Sequence, residues 1–170
     1  SGLDIAVEGS YGGGFVGGQD FLLADLAAIA RVGVGAFGVA STMSAGLSGG
    51  SAGASALGGF RVPLGRFFVA SALGEIGARQ RTYAPALLAD ALFGAAPSSA
   101  TATLPYVGTR TSITFRTPGT LGFELGATML AGDDVGRVQT NIGGSPSTIG
   151  GFTFALMAHV GIALDGGVKL

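Results

Sequence analysis

The sequence predicts an all-β chain: eight antiparallel strands closed up-and-down into a single transmembrane barrel. Three observations carry that reading. Only 11% of the 170 residues are Asp, Glu, Lys or Arg, where a soluble domain carries about 25%, and the mean hydropathy is +0.57. The longest uncharged stretch, Val32 to Phe60, is too rich in Gly and Ser to suit a spanning helix, which needs about 20 largely apolar residues with good helix propensity. A closed barrel is the other way to satisfy every backbone N–H and C=O in lipid. The third observation is strict alternation. Leu3, Ile5, Val7 and Tyr11 oppose Asp4, Glu8 and Ser10. Leu121, Phe123, Leu125 and Met129 oppose Gly122, Glu124, Gly126 and Thr128. Phe152, Phe154, Leu156, Val160, Ile162 and Leu164 oppose Thr153, His159 and Asp165. A period of two with charges on one parity is the signature of a strand between lipid and lumen.

The same period divides the chain into segments 3–13, 19–32, 34–47, 50–62, 66–83, 100–117, 119–132 and 148–165. The first, seventh and eighth rest on the alternation just given. The second, QDFLLADLAAIARV, also fits an amphipathic helix, with Asp20 as N-cap and Gly33 just past its end. It is read as a strand because seven strands would leave the chain ends on opposite sides. The third and fourth are built of small residues around a Ser/Gly link near 48–51, and the fifth and sixth carry spaced Glu and Arg. Tight turns are expected at Gly33, at Pro63-Leu64-Gly65 and at Thr117-Pro118-Gly119, where Gly and Pro supply the turn chemistry. The other ends are joined by YGGGFVGG from Tyr11, by the 48–51 link, and by longer loops at 84–99 and 133–147. PALLADALFGAA, from Pro85, reads as a short surface helix within the first of these loops. One domain spans 1–170, with 166–170 read as a tail, and a chain opening at Ser1 without a leader reads as a mature form.

Aromatic girdles at both interfaces are expected of such a barrel. Tyr11, Phe21, Tyr83, Tyr106, Phe152 and Phe154 fall toward the loop end of their segments. Phe37, Phe60, Phe67, Phe68, Phe115 and Phe123 fall toward the turn end, leaving Phe15 and Phe93 in loops.

Eight of the nine basic residues are Arg. The inward parity collects Glu8, Asp25, Arg31, Arg61, Glu75, Arg79, Arg81, Arg110, Arg116, Glu124 and His159. Facing such groups outward costs about 2–4 kcal/mol each at the bilayer midplane. Counting from the turns puts Glu75 near Arg110 with Glu124 one strand further on, and closing the first strand on the last puts Glu8 beside His159. Arg forks suit buried carboxylates because several donors meet both oxygens. An eight-stranded lumen is just filled by side chains, so the set reads as a structural ion-pair network. Small interior residues at Gly38, Ala40 and Gly53 are the one feature that favours a water-filled path.

Other chemistries find little support. Without Cys, disulfide scaffolds and thiol sites are excluded. A net charge of −1 and no Lys/Arg run speak against nucleic acid. His159, the sole histidine, has Met157 and Gly161 two residues away and no Ser, so neither a catalytic residue nor a cofactor is expected. No metal-ligand set is read either: Asp133-Asp134, with Asn141 as a neighbour, reads as a solvated loop turn more readily than a divalent-cation site.

On strand count, alternation and girdles, nearly the whole chain resembles the small eight-stranded outer-membrane barrels, the group that includes the OmpA transmembrane domain and OmpX. The resemblance implies a Gram-negative outer membrane, insertion after export, and a monomer surrounded by bilayer lipid and lipopolysaccharide. Both termini fall on the short-turn side, which would be periplasmic. The chain departs from the group's pattern at its last strand, which reaches Leu164-Asp165 and continues as GGVKL instead of ending in an aromatic residue. The expected role is structural or surface-interacting and not enzymatic, with 84–99 and 133–147 as the contact loops for an outside partner. A narrow ion or small-solute channel is the alternative, with a lipid-modifying enzyme behind it. A soluble lipocalin-like barrel is a further rival, but its Gly-X-Trp signature is impossible in a chain without Trp.

Overall fold

The computed structural model describes residues 2–16, 19–32, 35–46, 49–83, 100–135, 138–142, 145–149 and 151–169. In chain order the strands are β1 (Gly2–Val16), β2 (Gln19–Val32), β3 (Gly35–Gly46), β4 (Gly49–Leu64) and β5 (Phe68–Tyr83). They continue as β6 (Ala100–Arg116), β7 (Leu121–Asp133), β8 (Val138–Ile142), β9 (Ser145–Ile149) and β10 (Phe152–Lys169). Eight of them close into a barrel in the order β1-β10-β7-β6-β5-β4-β3-β2, while β8 and β9 pair as a separate hairpin. Every barrel pairing is antiparallel, and closure is made by β1, where Tyr11 faces Ala158 of β10 on one edge and Ala24 of β2 on the other. Closure removes the unpaired edges that an open sheet would present to lipid.

The ambiguous second segment is a strand. β2 pairs with β1 from Val32↔Leu3 to Gln19↔Val16 and with β3 from Leu23↔Gly46 to Val32↔Phe37. A helix there would leave the facing edges of β1 and β3 without partners, so the tertiary requirement overrides local helix propensity. Asp25, Ala27, Ile29 and Arg31 of β2 are buried, while Ala24, Leu26 and Ala28 are exposed.

Four local expectations are corrected. β1 runs on through Val16, so Gly12–Phe15 are strand and not link, and Phe15 joins the outer aromatics. The turn after β4 is formed by residues 65–67, with Gly65 at φ 79°. Pro63 and Leu64 belong to β4, where Pro63 pairs with Val69. The β3 ladder stops at Phe60, so the missing N–H of Pro63 falls on an unpaired edge. The loop at 133–147 carries the β8–β9 hairpin, and the last barrel strand starts at Phe152. At its other end that strand runs through the residues read as a tail, to Lys169 opposite Gly2. The helix read from Pro85 falls in 84–99, outside the described residues.

Burial follows the alternation. Along β7, Leu121, Phe123, Leu125 and Met129 face out, while Gly122, Glu124, Thr128 and Leu130 face in. Ile5, Val7, Leu26, Ile76, Val107, Ile113, Leu125, Leu156 and Val160 clothe the outer wall, each about half exposed or more. On the turn side, Phe68 and Phe115 have ring centroids 5.3 Å apart, with Phe60, Phe67 and Phe123 also exposed. On the loop side, Phe15 lies 5.7 Å from Phe154 and 5.9 Å from Phe152, with Tyr11 also exposed, four residues further down β1. The side chains of Phe21, Phe37 and Tyr83 lie outside the described residues.

The interior is not wholly polar. Ala27, Ile29, Leu57 and Leu73 form one buried apolar patch, and Leu104, Tyr106, Leu130, Ala155 and Met157 form another. The arginine–carboxylate pairs inside the barrel have side chains 4% exposed or less, so little water competes for them.

Candidate functional site: the charged lumen

Strand direction sets the height of each charged group. Asp4, Arg31, Arg61 and Glu124 lie near the turn side. Glu8, Glu75, Arg110 and His159 lie at mid-height, and Asp25, Arg79 and Arg81 stand nearer the loops.

In the turn-side tier, Arg31 Nε donates to Asp4 Oδ1 at 2.9 Å and its Nη1 to Glu124 Oε2 at 2.7 Å. Arg61 Nη2 donates to Asp4 Oδ2 at 2.6 Å, and the Thr114 hydroxyl donates to Glu124 Oε2 at 3.0 Å. At mid-height, Arg110 Nη1 donates to Glu8 Oε2, and its Nη2 reaches Glu75 Oε2 at 3.4 Å. The other oxygen of Glu75 accepts from Ser55 Oγ at 2.7 Å and from Tyr106 Oη at 2.8 Å. His159 Nδ1 is 3.0 Å from Thr128 Oγ1, and its Nε2 is 4.0 Å from Glu8 Oε1 and 3.8 Å from Glu124 Oε1. Higher up, Arg79 Nη2 donates to Asp25 Oδ2 at 2.9 Å, its guanidinium lying 5.2 Å from the Tyr106 ring centre. Arg81 Nη1 donates to Thr153 Oγ1 at 3.0 Å.

Five of these contacts span three strand positions around the barrel: Arg31 to Glu124, Arg61 to Asp4, Arg79 to Asp25, Arg110 to Glu8 and Arg81 to Thr153. They are braces across the lumen. Neighbour-to-neighbour counting foresaw Arg110 with Glu75, which bond at 3.4 Å, and Glu8 beside His159, which stand 4.0 Å apart without a hydrogen bond. It did not foresee that Glu124 would be held by Arg31 or that Glu8 would be held by Arg110, because a brace across the barrel depends on strand tilt and stagger.

Nine of the eleven residues on the inward parity are buried, and Arg81 is half-buried at the loop side. Arg116 departs from the expectation. It sits at the turn-side mouth with its side chain 41% exposed, 4.0 Å from an equally exposed Asp165, where strand end and water meet. Tyr106 corrects the girdle. It is 3% exposed and points into the lumen, because it shares the parity of Arg110, and position near a strand end does not override parity. Asp4, which the inward set omitted, is 3% exposed and holds both Arg31 and Arg61. The Asp133-Asp134 turn is also less solvated than expected: Asp134 is buried and its Oδ2 accepts from Gly151 N–H at 3.2 Å, tying the loop's two ends.

Glycines make this packing possible. Gly77 lies opposite Tyr106, Gly126 opposite His159, and Gly161 between Glu8 and Glu124 in a shared register. A Cβ on Gly77 would come within 2.9 Å of Tyr106 Cζ, and one on Gly53 within 2.8 Å of Arg79 Cγ. The space that Gly53 leaves is therefore filled by an arginine and not by water. His159 is 1% exposed and points into the barrel.

No family model matches the chain, and no curated protein matches it. Solved structures do match. Neisserial surface protein A (NspA) superposes with a TM-score of 0.61 at 12% identity, over 97% of this chain and 97% of that one. The N-terminal β-barrel domain of Pseudomonas aeruginosa OprF superposes with a TM-score of 0.51 at 12% identity, over 95% and 96%. Both cover nearly the full length at an identity that carries the architecture alone. Together with the closed strand order, they show that this chain has the fold of the small eight-stranded outer-membrane barrels.

Proposed function

We propose that the protein is an integral outer-membrane barrel with a non-conducting lumen, serving as a structural and surface-contact element and not as an enzyme. The observation that carries this is the pairing of an apolar outer wall with charged braces that cross the interior at three heights. Bilayer lipid and lipopolysaccharide contact the wall, both termini sit on the periplasmic side, and the loops at 84–99 and 133–147 meet outside partners. A pocket at the turn-side mouth, between Asp4, Thr114, Arg116 and Asp165, measures about 20 Å³, room for about one water.

Refolding into detergent and comparing gel mobility with and without boiling tests the membrane barrel, since a compact closed barrel migrates differently from its unfolded chain. Planar-bilayer recording tests the lumen: silence at high protein load is expected, and discrete conductance steps would replace this reading with the narrow channel. Protease accessibility of a tag at either terminus on intact expressing cells tests the orientation, and digestion from outside would reverse it.

A further inference from the structure

Between the turn-side and middle tiers of the lumen, three buried side chains turn unshared polar atoms toward one another. Glu8 and Glu124 each commit Oε2 to an arginine, Arg110 and Arg31, and Glu124 Oε2 also accepts from Thr114. Their Oε1 atoms and His159 Nε2 have no hydrogen-bond partner. All three side chains are at least nine-tenths buried, and the three atoms lie within 4.8 Å of one another. A buried polar atom without a partner is costly, and three converging on one point need a common explanation.

The geometry points to a binding site for one divalent transition ion of the zinc type, held by Glu8 Oε1, Glu124 Oε1 and His159 Nε2. The donor set is one imidazole and two carboxylates, which zinc accepts, whereas magnesium and calcium take oxygen-only sets. An ion equidistant from the three atoms and in their plane would sit no more than about 2.5 Å from each, given separations of 4.0 and 3.8 Å and a third of at most 4.8 Å. Zinc bonds to nitrogen and oxygen run about 2.0–2.2 Å, a difference that small rotations of the two glutamates close.

Three features around the triad fit this use. The remaining imidazole nitrogen is engaged by Thr128 Oγ1, the outer contact that fixes ring orientation in metal-ligating histidines. Gly161 stands in register with both Glu8 and Glu124. A Cβ there would lie 3.0 Å from Glu8 Cγ, so the missing side chain keeps the space between the carboxylates clear. Gly126, opposite His159, does the same for the imidazole, since a Cβ there would fall 2.5 Å from Nε2. In the lower two tiers, four buried carboxylates (Asp4, Glu8, Glu75, Glu124) face three buried guanidiniums (Arg31, Arg61, Arg110), so the unshared oxygens lie in surroundings of excess negative charge, which attract a cation.

The test is to refold the full chain in detergent with Zn2+, remove loose metal by gel filtration over a chelating resin, and measure zinc per barrel by mass spectrometry. One equivalent is expected in the folded, heat-modifiable fraction. Co2+ refolded in its place should give the intense visible bands of a four-coordinate ion, whereas cobalt on detergent or in solution is six-coordinate and absorbs only weakly. His159→Gln should lose the bound metal, and Thr128→Val should weaken it about tenfold, the size of an outer-contact loss. Arg79→Gln, outside the triad, should keep it. If His159→Gln does not fold, Gly161→Ala, checked for folding by gel mobility, takes its place, with loss again expected. Folded parent with no stoichiometric zinc would overturn the site, leaving the two carboxylates to share a proton. Undiminished zinc in the triad variants would overturn it equally.

Discussion

Arg110→Ala is the sharpest perturbation of the lumen. The side chain is 2% exposed and contacts Glu8 and Glu75, two strands' worth of carboxylate that no other arginine in the described contacts reaches. Its removal leaves Glu75 with Ser55 and Tyr106, which are neutral donors, and leaves Glu8 Oε2 with none. Breaking a buried pair by deleting one partner costs about 3–5 kcal/mol, mostly through the stranded charge. For a chain of this size each kcal/mol lowers the melting temperature by about 2–4 °C, so a fall of roughly 6–20 °C is expected. Thermal melts in detergent, followed by the fraction that keeps its folded gel mobility, read this directly. Arg66→Ala, on the exposed 65–67 turn, is the control and should stay within about 0.5 kcal/mol of the parent. Adding Glu8→Gln to Arg110→Ala should recover part of the loss by removing the stranded charge. If Arg110→Ala melts with the parent, the cross-lumen braces do not hold the barrel together.

Three further perturbations address the wall, the lumen and the glycines. Leu125→Arg, at a position 65% exposed in the middle of β7, should cost about 2–4 kcal/mol in lipid vesicles, measured by urea unfolding; an unchanged midpoint would refute the outward assignment of that parity. Tyr106→Phe removes the hydroxyl that donates to Glu75 and should cost about 1.5–3 kcal/mol, the range for a bond to a charged group, whereas no loss would return Tyr106 to the girdle. Gly77→Val should destabilise by about 1–3 kcal/mol through overpacking, since its Cβ would meet Ser55 Cβ at 2.6 Å and Tyr106 Cζ at 2.9 Å; chemical denaturation checks it, and a neutral outcome would mean the lumen is looser than described.

Period-two alternation made much of this fold legible from sequence. It placed eight barrel strands, the parity of Glu8, Glu75, Arg110 and Glu124, and the outward face of Leu121, Phe123 and Leu125, because lipid and lumen impose opposite demands on successive residues. Where position along a strand was used in place of parity, the reading failed, as at Tyr106, which shares a face with Arg110. Asp4 alternates with Leu3 and Ile5 on the parity of Glu8, and its burial follows from that pattern. The partners of each arginine were not legible because strand stagger decides which groups stand opposite across the lumen. The triad of Glu8, Glu124 and His159 was hidden for the same reason, its members brought together only when β10 docks between β1 and β7. The strands of the β8–β9 hairpin are only five residues each, too short for the period to separate them from the loop that holds them.

The placement of carboxylates at the chain's beginning bears on how the molecule reaches its native state. Asp4 and Glu8 are among the first residues, yet β1 seals the wall only when β10, the last strand, arrives beside it. Until that docking, a partly assembled sheet already sets Arg31 beside Asp4 and Arg110 beside Glu75, but the braces from Arg31 to Glu124, Arg61 to Asp4 and Arg110 to Glu8 are not yet made, a state that a bilayer penalises. Insertion should therefore proceed with a late, concerted locking step in which the seam zips and the interior neutralises together, and a stable intermediate with the seam ajar should be scarce.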